Sequence, residues 1–391
     1  MKISISKLYI NLLLLWPVFG LIINLTSFSS FFNLLFQQIL FFLCLFLTVK
    51  NHNFWRRFFH ILFLPFLYVF FFLIITYFGV DLSYSMKNRY YLISLDLINF
   101  FLFYTAGNLY NIRIVSDLFV KSISLYVVFS LCLGYFLVQV NGIDQIRVIS
   151  GLEIPFALCF ALFSKAGFLY IFILLIGALS SIKKTLIITS IIPFVIVVLF
   201  KSKNKYFNQF YPTKISSKKS LFILIPILLF LSPLIFQFIQ ATFLRIATDG
   251  DDIYRLMQFS EFIRLSKIHF PFGTGISTFG SLTKDTIPYN TFTSDGNILD
   301  GMSLHNTPMH VFLEGGVIIF ILYLLLYFKN ISRAYSLFKN VKTSNIGSLF
   351  FNLLLVSFVF GLLNQLHGQL FYFGLFGLIS GTFYNKNLFN N

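Results

Sequence analysis

Groups able to hold or move a proton crowd into one short stretch, Leu304-His305-Asn306-Thr307-Pro308-Met309-His310-Val311-Phe312-Leu313-Glu314-Gly315-Gly316. It closes the longest polar segment of the chain and opens a strongly apolar run. His305 is the candidate general base, because an imidazole of ordinary pKa, about 6.5, exchanges protons near neutrality. Asn306, two residues before Pro308, fits a helix cap, and orienting a substrate is its other reading. Glu314 falls two turns into the apolar run. An ionisable group there is costly, so it must meet a polar cavity or a cation. Structural pairing and a direct catalytic role both fit it. His310 reads as structural.

Cations complete the set. Arg255 leads, followed by Arg147, Lys183, Lys184 and Arg245. A guanidinium clamps phosphate oxygens in a bidentate fork, and a solvated surface role is the alternative. Asp249-Gly250-Asp251 has the spacing of a metal-diphosphate site. Gly and Asp favour turns and caps, so no metal and no cofactor is expected.

The elements that must position these groups are membrane helices. Of 391 residues, 58% are hydrophobic and 11% charged, against about 25% charged in a soluble domain. Apolar runs near 20 residues recur, each long enough to cross a bilayer as a helix. Continuous runs exclude a transmembrane barrel, which shows alternation. The net charge of +16 sits in short loops, as the positive-inside rule expects, so nucleic acid is not a partner. The 56 Phe read as lipid-facing bulk. Cys44, Cys132 and Cys159 lie in apolar runs and read as inert filler. Asp96 and His367 read as helix–helix hydrogen-bond partners.

In chain order, spans are expected near Leu8–Leu25, Phe31–Val49, Phe59–Val80, up to Tyr110, and Ser122–Val140. The first is an uncleaved anchor. Basic turns at Lys50–Arg57 and Asn111–Lys121 point to the cytoplasm. Residues 153–200 fit three short spans, interrupted at Ser164-Lys165 and Ser180–Thr185, or one span fewer. Lys201–Lys219 carries six lysines, and a further basic run holds Lys329, Arg333, Lys339 and Lys342. Spans near Leu221–Gln240 and Pro308–Phe328 separate these two basic runs from residues 242–304, which must therefore face outward. Spans near Asn345–Leu363 and Leu366–Phe383 finish the chain. The expectation is an all-α polytopic protein of about twelve spans, residues 1–391 forming one membrane domain, with a large periplasmic loop at 242–304.

That loop holds seven of the thirteen acids. Asp251 and Asp252 can cap a helix over about Ile253–His269, whose mixture of apolar and charged residues suits a membrane interface. Phe270-Pro271-Phe272-Gly273-Thr274-Gly275 stops it with Pro and two glycines. A plain helical cap and a cation-gathering lid over a lipid-borne anion are both open.

These residues resemble a known family. Arg255 followed by Pro271-Phe272-Gly273-Thr274-Gly275 is similar to the R…P-x-G-x-G stretch of the O-antigen polymerase and ligase superfamily. His305-Asn306, with Glu314 and Gly316 after it, resembles that superfamily's HN-x7-E-x-G signature. Ser180–Thr185 is similar to an S-R-t element, with Lys183 or Lys184 in place of Arg. Arg147 with Gly151 and Pro155 resembles another element set just before a span. The motifs cover roughly 145–320. Ile319 stands where the ligase pattern expects a second Gly.

The resemblance implies a metal-independent glycosyltransferase using an undecaprenyl-diphosphate-linked glycan as donor. An acceptor hydroxyl, on a second lipid-linked glycan, attacks the anomeric carbon, and lipid diphosphate leaves. Arg255, Arg147, Lys183, Lys184 and Arg245 would hold the diphosphate, since cations alone can stabilise it. His305 would take the hydroxyl proton. It further implies the bacterial inner membrane, a periplasmic active face and a chain-length regulator as partner. The missing Gly tilts the reading to polymerase. A ligase acting on lipid A–core is the alternative. A flippase or other transporter is the third reading, disfavoured because polar residues gather at one face instead of along the spans.

Overall fold

The computed structural model describes residues 5–24, 29–78, 86–141, 152–164, 166–180, 184–201, 251–276, 278–283, 304, 306–340, 342–364 and 370–385. Among them every regular element is a helix. In chain order these are α1 (Ile5–Asn24), α2 (Ser29–Thr48), α3 (His52–Phe78), α4 (Met86–Leu109), α5 (Ile112–Asn141), α6 (Glu153–Ser164), α7 (Phe168–Ser180), α8 (Lys184–Lys201), α9 (Asp251–His269), α10 (Phe279–Thr283), α11 (Thr307–Lys339), α12 (Ser344–Leu363) and α13 (Leu370–Phe383). Four segments among the described residues are long and apolar enough to cross a membrane: His52–Phe78, Ile112–Leu133, Thr307–Lys339 and Ser344–Leu363. Several shorter apolar helices accompany them. The protein is a polytopic helical membrane protein.

Residues 153–200 form three helices, α6 to α8. The first two have 12 and 13 residues, short of the roughly 20 that a full crossing requires. The expected span at Leu221–Gln240 lies outside the described residues.

Helix association in a bilayer depends on close packing more than on the hydrophobic effect. The contact between α4 and α13 shows how close. A Cβ on Gly377 would strike the Phe100 carbonyl oxygen, and one on Gly381 the Tyr104 carbonyl oxygen. Gly374 leaves room for the Phe103 ring. Elsewhere Phe fills the core or faces outward. Phe72, Phe100, Phe119, Phe350, Phe373 and Phe376 are fully buried, whereas Phe42, Phe46 and Phe63 are about two-thirds exposed, as lipid-facing side chains should be.

The bundle has two chemically distinct ends. Helix α3 starts beside Lys50, Arg56 and Arg57 and runs to Thr76, which touches the 271–276 loop. Helix α11 starts at that loop's end and runs back toward Arg333 and Lys339.

Candidate functional site

Helix α11 begins with a complete cap. The Asn306 side-chain oxygen accepts from the Met309 amide at 2.9 Å, and Pro308 stands in the first turn, where its missing N–H costs nothing. The Asn306 amide donates to the Leu362 carbonyl at 2.9 Å and the Thr307 hydroxyl to the Asn364 carbonyl at 2.6 Å. The start of α11 is thereby tied to the end of α12. Asn306 takes the capping role of its two expected roles.

Two turns later the helix breaks. Gly316 has φ 70° and ψ −174°, a backbone state that an L side chain rarely adopts. The break exposes the peptide groups around it, and the Pro271–Gly275 loop takes them. Thr274 N–H donates to the Leu313 carbonyl at 3.0 Å, Gly275 N–H to the Glu314 carbonyl at 2.9 Å, and Val317 N–H to the Pro271 carbonyl at 3.0 Å. Room for this exchange exists because both partners are glycine. A Cβ on Gly273 would stand 2.5 Å from the Gly316 nitrogen, and one on Gly316 would overlap the Pro271 carbonyl oxygen. The loop also reaches α3, where the Thr76 hydroxyl accepts from Ile276 N–H at 3.1 Å.

Glu314 sits inside this junction, 0% exposed. One carboxylate oxygen is 2.8 Å from His310 Nε2. The other accepts from Phe279 N–H, the start of α10, at 3.3 Å. Its carboxylate therefore joins α11 to the start of α10. The paired partner that the costly carboxylate required is His310, 1% exposed. Behind the pair, Tyr68 lies within electrostatic reach of Glu314, Asp96 and Tyr323. The Tyr372 hydroxyl donates to Tyr323 at 3.0 Å, and Tyr327 bonds Ser357 at 3.1 Å. Above the pair, Leu265, Phe279, Leu304 and Leu313 form a small apolar cluster of their own, with Phe262 and Met309 against it. A shallow groove beside the junction is lined by Ser266, His269, Phe270, Pro271, Phe312 and Val317. His269 is half-buried there, and burial, followed by the charge of Arg264, lowers its pKa below the usual histidine value.

The other sequence candidates fall as follows. His305 lies outside the described residues, between Leu304, which is buried in the apolar cluster, and the capping Asn306. Arg255 is on α9, one turn from its start, and Lys184 opens α8; their side chains lie outside the described residues. Arg147, Lys183 and Arg245 lie outside them as well. Helix α9 starts at Asp251, which puts Asp251 and Asp252 in its first turn, where acids favour a helix. The Arg264–Glu261 pair on α9, at 2.6 Å, is a local i, i+3 contact on the surface. Among the described residues no three His, Cys, Asp or Glu gather as a metal site.

His310, read from the sequence as structural, pairs with Glu314 at 2.8 Å. The available signal was its i, i+4 spacing from Glu314 on one helix face. Thr76 and Tyr68 carried no local signal.

The junction is thus a buried carboxylate held under a glycine loop at one end of a helical membrane bundle. Residues 152–324 match the family described as O-antigen ligase, and this supports the O-antigen polymerase and ligase superfamily for that part of the chain. The match runs from α6 to the middle of α11 and takes in the whole junction; Arg147 falls before it. No curated protein matches the chain.

Proposed function

We propose that the protein is a surface-polysaccharide polymerase. It joins undecaprenyl-diphosphate-linked oligosaccharide repeat units at the periplasmic face of the bacterial inner membrane, as one membrane domain with 242–304 as its outer loop. The acceptor hydroxyl attacks the anomeric carbon of the donor glycan, the bond to the diphosphate breaks, and His305 takes the hydroxyl proton. Arg255, Arg147, Lys183, Lys184 and Arg245 neutralise the departing diphosphate without a metal. Glu314 holds the floor of the site.

The observation that carries this reading is the junction itself. The two motifs that the family resemblance rests on meet directly: Pro271–Gly275 is bonded to residues 313–317, around Glu314 and Gly316, by three backbone hydrogen bonds. Arg255 precedes the first motif and His305 the second in the sequence, which supports assigning both to one site.

Ligation of a finished chain to lipid A–core is the second reading, favoured by the description of the matched family. Ile319 favours polymerisation: it is fully buried, and a Cβ on Gly315 would lie 2.6 Å from its own Cβ, so a branched side chain fills the position of the ligase pattern's second glycine. Deletion in the native host decides between them, with surface polysaccharide displayed on a gel. Single-repeat product supports the polymerase. Loss of all chain from lipid A–core, with lipid-linked polymer accumulating, supports the ligase. Unchanged polysaccharide contradicts both.

A further inference from the structure

At the end of the bundle opposite the glycine loop, the guanidiniums of Arg57 and Arg333 have no carboxylate partner among the described residues. Arg333, on α11, is 7% exposed. Its guanidinium donates to the Ser380 hydroxyl at 2.5 Å and, more weakly, to the Asn330 side-chain oxygen at 3.4 Å. Arg57, on α3, donates to the Tyr384 carbonyl at 3.2 Å and is partly exposed. Among the described residues no carboxylate is bonded to either guanidinium. A buried cation with only neutral partners is strongly disfavoured.

A second observation points the same way. Tyr104, on α4, is 0% exposed, and its hydroxyl has no hydrogen-bond partner within the protein. That hydroxyl lies within electrostatic reach of both Arg57 and Arg333. Buried hydroxyls are nearly always bonded. Two guanidiniums and an open phenol donor within electrostatic reach of one another are the donor set for an oxyanion.

We propose that Arg57, Arg333 and Tyr104 form a binding site for a phosphate group at the basic end of the bundle. The phosphate comes from the headgroup of an anionic phospholipid in the adjoining leaflet or from free phosphate. Basic pockets between membrane helices take such headgroups. Lys50, Arg56, Lys339 and Lys342, all exposed at the same basic end, draw anionic lipid to it. The site is separate from the glycine junction: Arg333 is 17 residues beyond Gly316, about 25 Å along the helix. The bound phosphate closes the α3–α4–α11–α13 contact at that end.

The test is thermal unfolding of the full-length protein in phosphatidylcholine vesicles, in the same vesicles containing phosphatidylglycerol, and in phosphatidylcholine with inorganic phosphate. Ligand that binds only the folded protein raises its melting temperature with concentration. The wild type is expected to melt higher with phosphatidylglycerol. If inorganic phosphate reproduces the rise, the site takes the free anion too; if it does not, the headgroup is required. Either result supports the site. Arg333→Gln is expected to weaken the apparent affinity about tenfold or more, as loss of a charge-assisted bond does. Arg57→Gln and Tyr104→Phe cover the case in which Arg333→Gln fails to fold. Tyr104→Phe removes only an unbonded hydroxyl, so in phosphatidylcholine it should be neutral or stabilising, while the anion-dependent rise shrinks. No rise with either anion, or a rise unchanged in Tyr104→Phe and Arg57→Gln, overturns the proposal.

Discussion

Glycine permits close approach in two regions of this molecule, and the two use it differently. Between α4 and α13, Gly377 and Gly381 let two helix backbones touch through apolar surface, and both helices remain regular. Between the 271–275 loop and α11, Gly273 and Gly316 let backbones exchange hydrogen bonds across a broken helix around a buried carboxylate. The first arrangement holds the bundle together. The second leaves ionisable groups and a strained backbone at one end, the kind of local exception that clusters at functional sites. The same residue type thus serves packing in one place and encloses a buried carboxylate in the other. The distinction is the polar groups that the close approach encloses.

The largest expected effect breaks the packing side of this contrast. Gly381→Val drives a branched side chain into the Tyr104 carbonyl, which cannot move without separating the helices. It should cost about 3 kcal/mol or more and empty the membrane fraction of folded protein, measured by fluorescence-detected size exclusion. Persistence at wild-type abundance would show that the α4–α13 approach is not needed.

Next comes the buried pair. His310→Ala removes the imidazole bonded to Glu314, which keeps its bond from Phe279 N–H; losing one partner of a buried carboxyl costs about 3 kcal/mol. The damage should be local. Phe279 and the loop should become accessible to protease while the bundle still inserts. Equal protease resistance in wild type and variant would reduce the pair to ornament. His310→Gln keeps a hydrogen-bond donor and should recover much of the resistance.

Asn306→Ala removes the cap of α11 and should cost about 1 kcal/mol, read as a fall of a few degrees in melting temperature. The smallest effect concerns acidity. His269 has a lowered pKa in the folded protein, so the folded state resists its protonation. Its contribution is present above the unfolded histidine pKa, about 6.5, and is lost as pH falls below that value. Wild type should therefore lose stability on acidification through pH 6, and His269→Gln should lose less. Identical pH profiles would remove His269 from the account.

Much of the fold was legible in sequence because spans announce themselves by composition. Helices at Ser29–Thr48, Met86–Leu109, Ser344–Leu363 and Leu370–Phe383 lie within a few residues of the expected spans. Helix α9 ends at His269 as Pro271 and the glycines required. The cap at Asn306 followed from Asn and Pro in order. What sequence hid was contact. The break at Gly316 lies in an apolar run that reads as uninterrupted helix, and its cause is a loop some forty residues earlier. Thr76 reaches that loop from two hundred residues away. The shortness of α6 and α7 was legible, because the interruptions at Ser164-Lys165 and Ser180–Thr185 fall where these helices end.

The central claim is that the glycine junction serves activity and the α4–α13 contact serves folding. Gly273→Ala tests it most directly, in a host whose own copy is deleted, with the surface polysaccharide resolved on a gel and the protein quantified in the membrane. The methyl group would meet the Gly316 nitrogen and the positive φ of Gly273 together. The account expects near wild-type protein in the membrane and product stopped at a single repeat unit. A full-length polysaccharide ladder from that variant would contradict it.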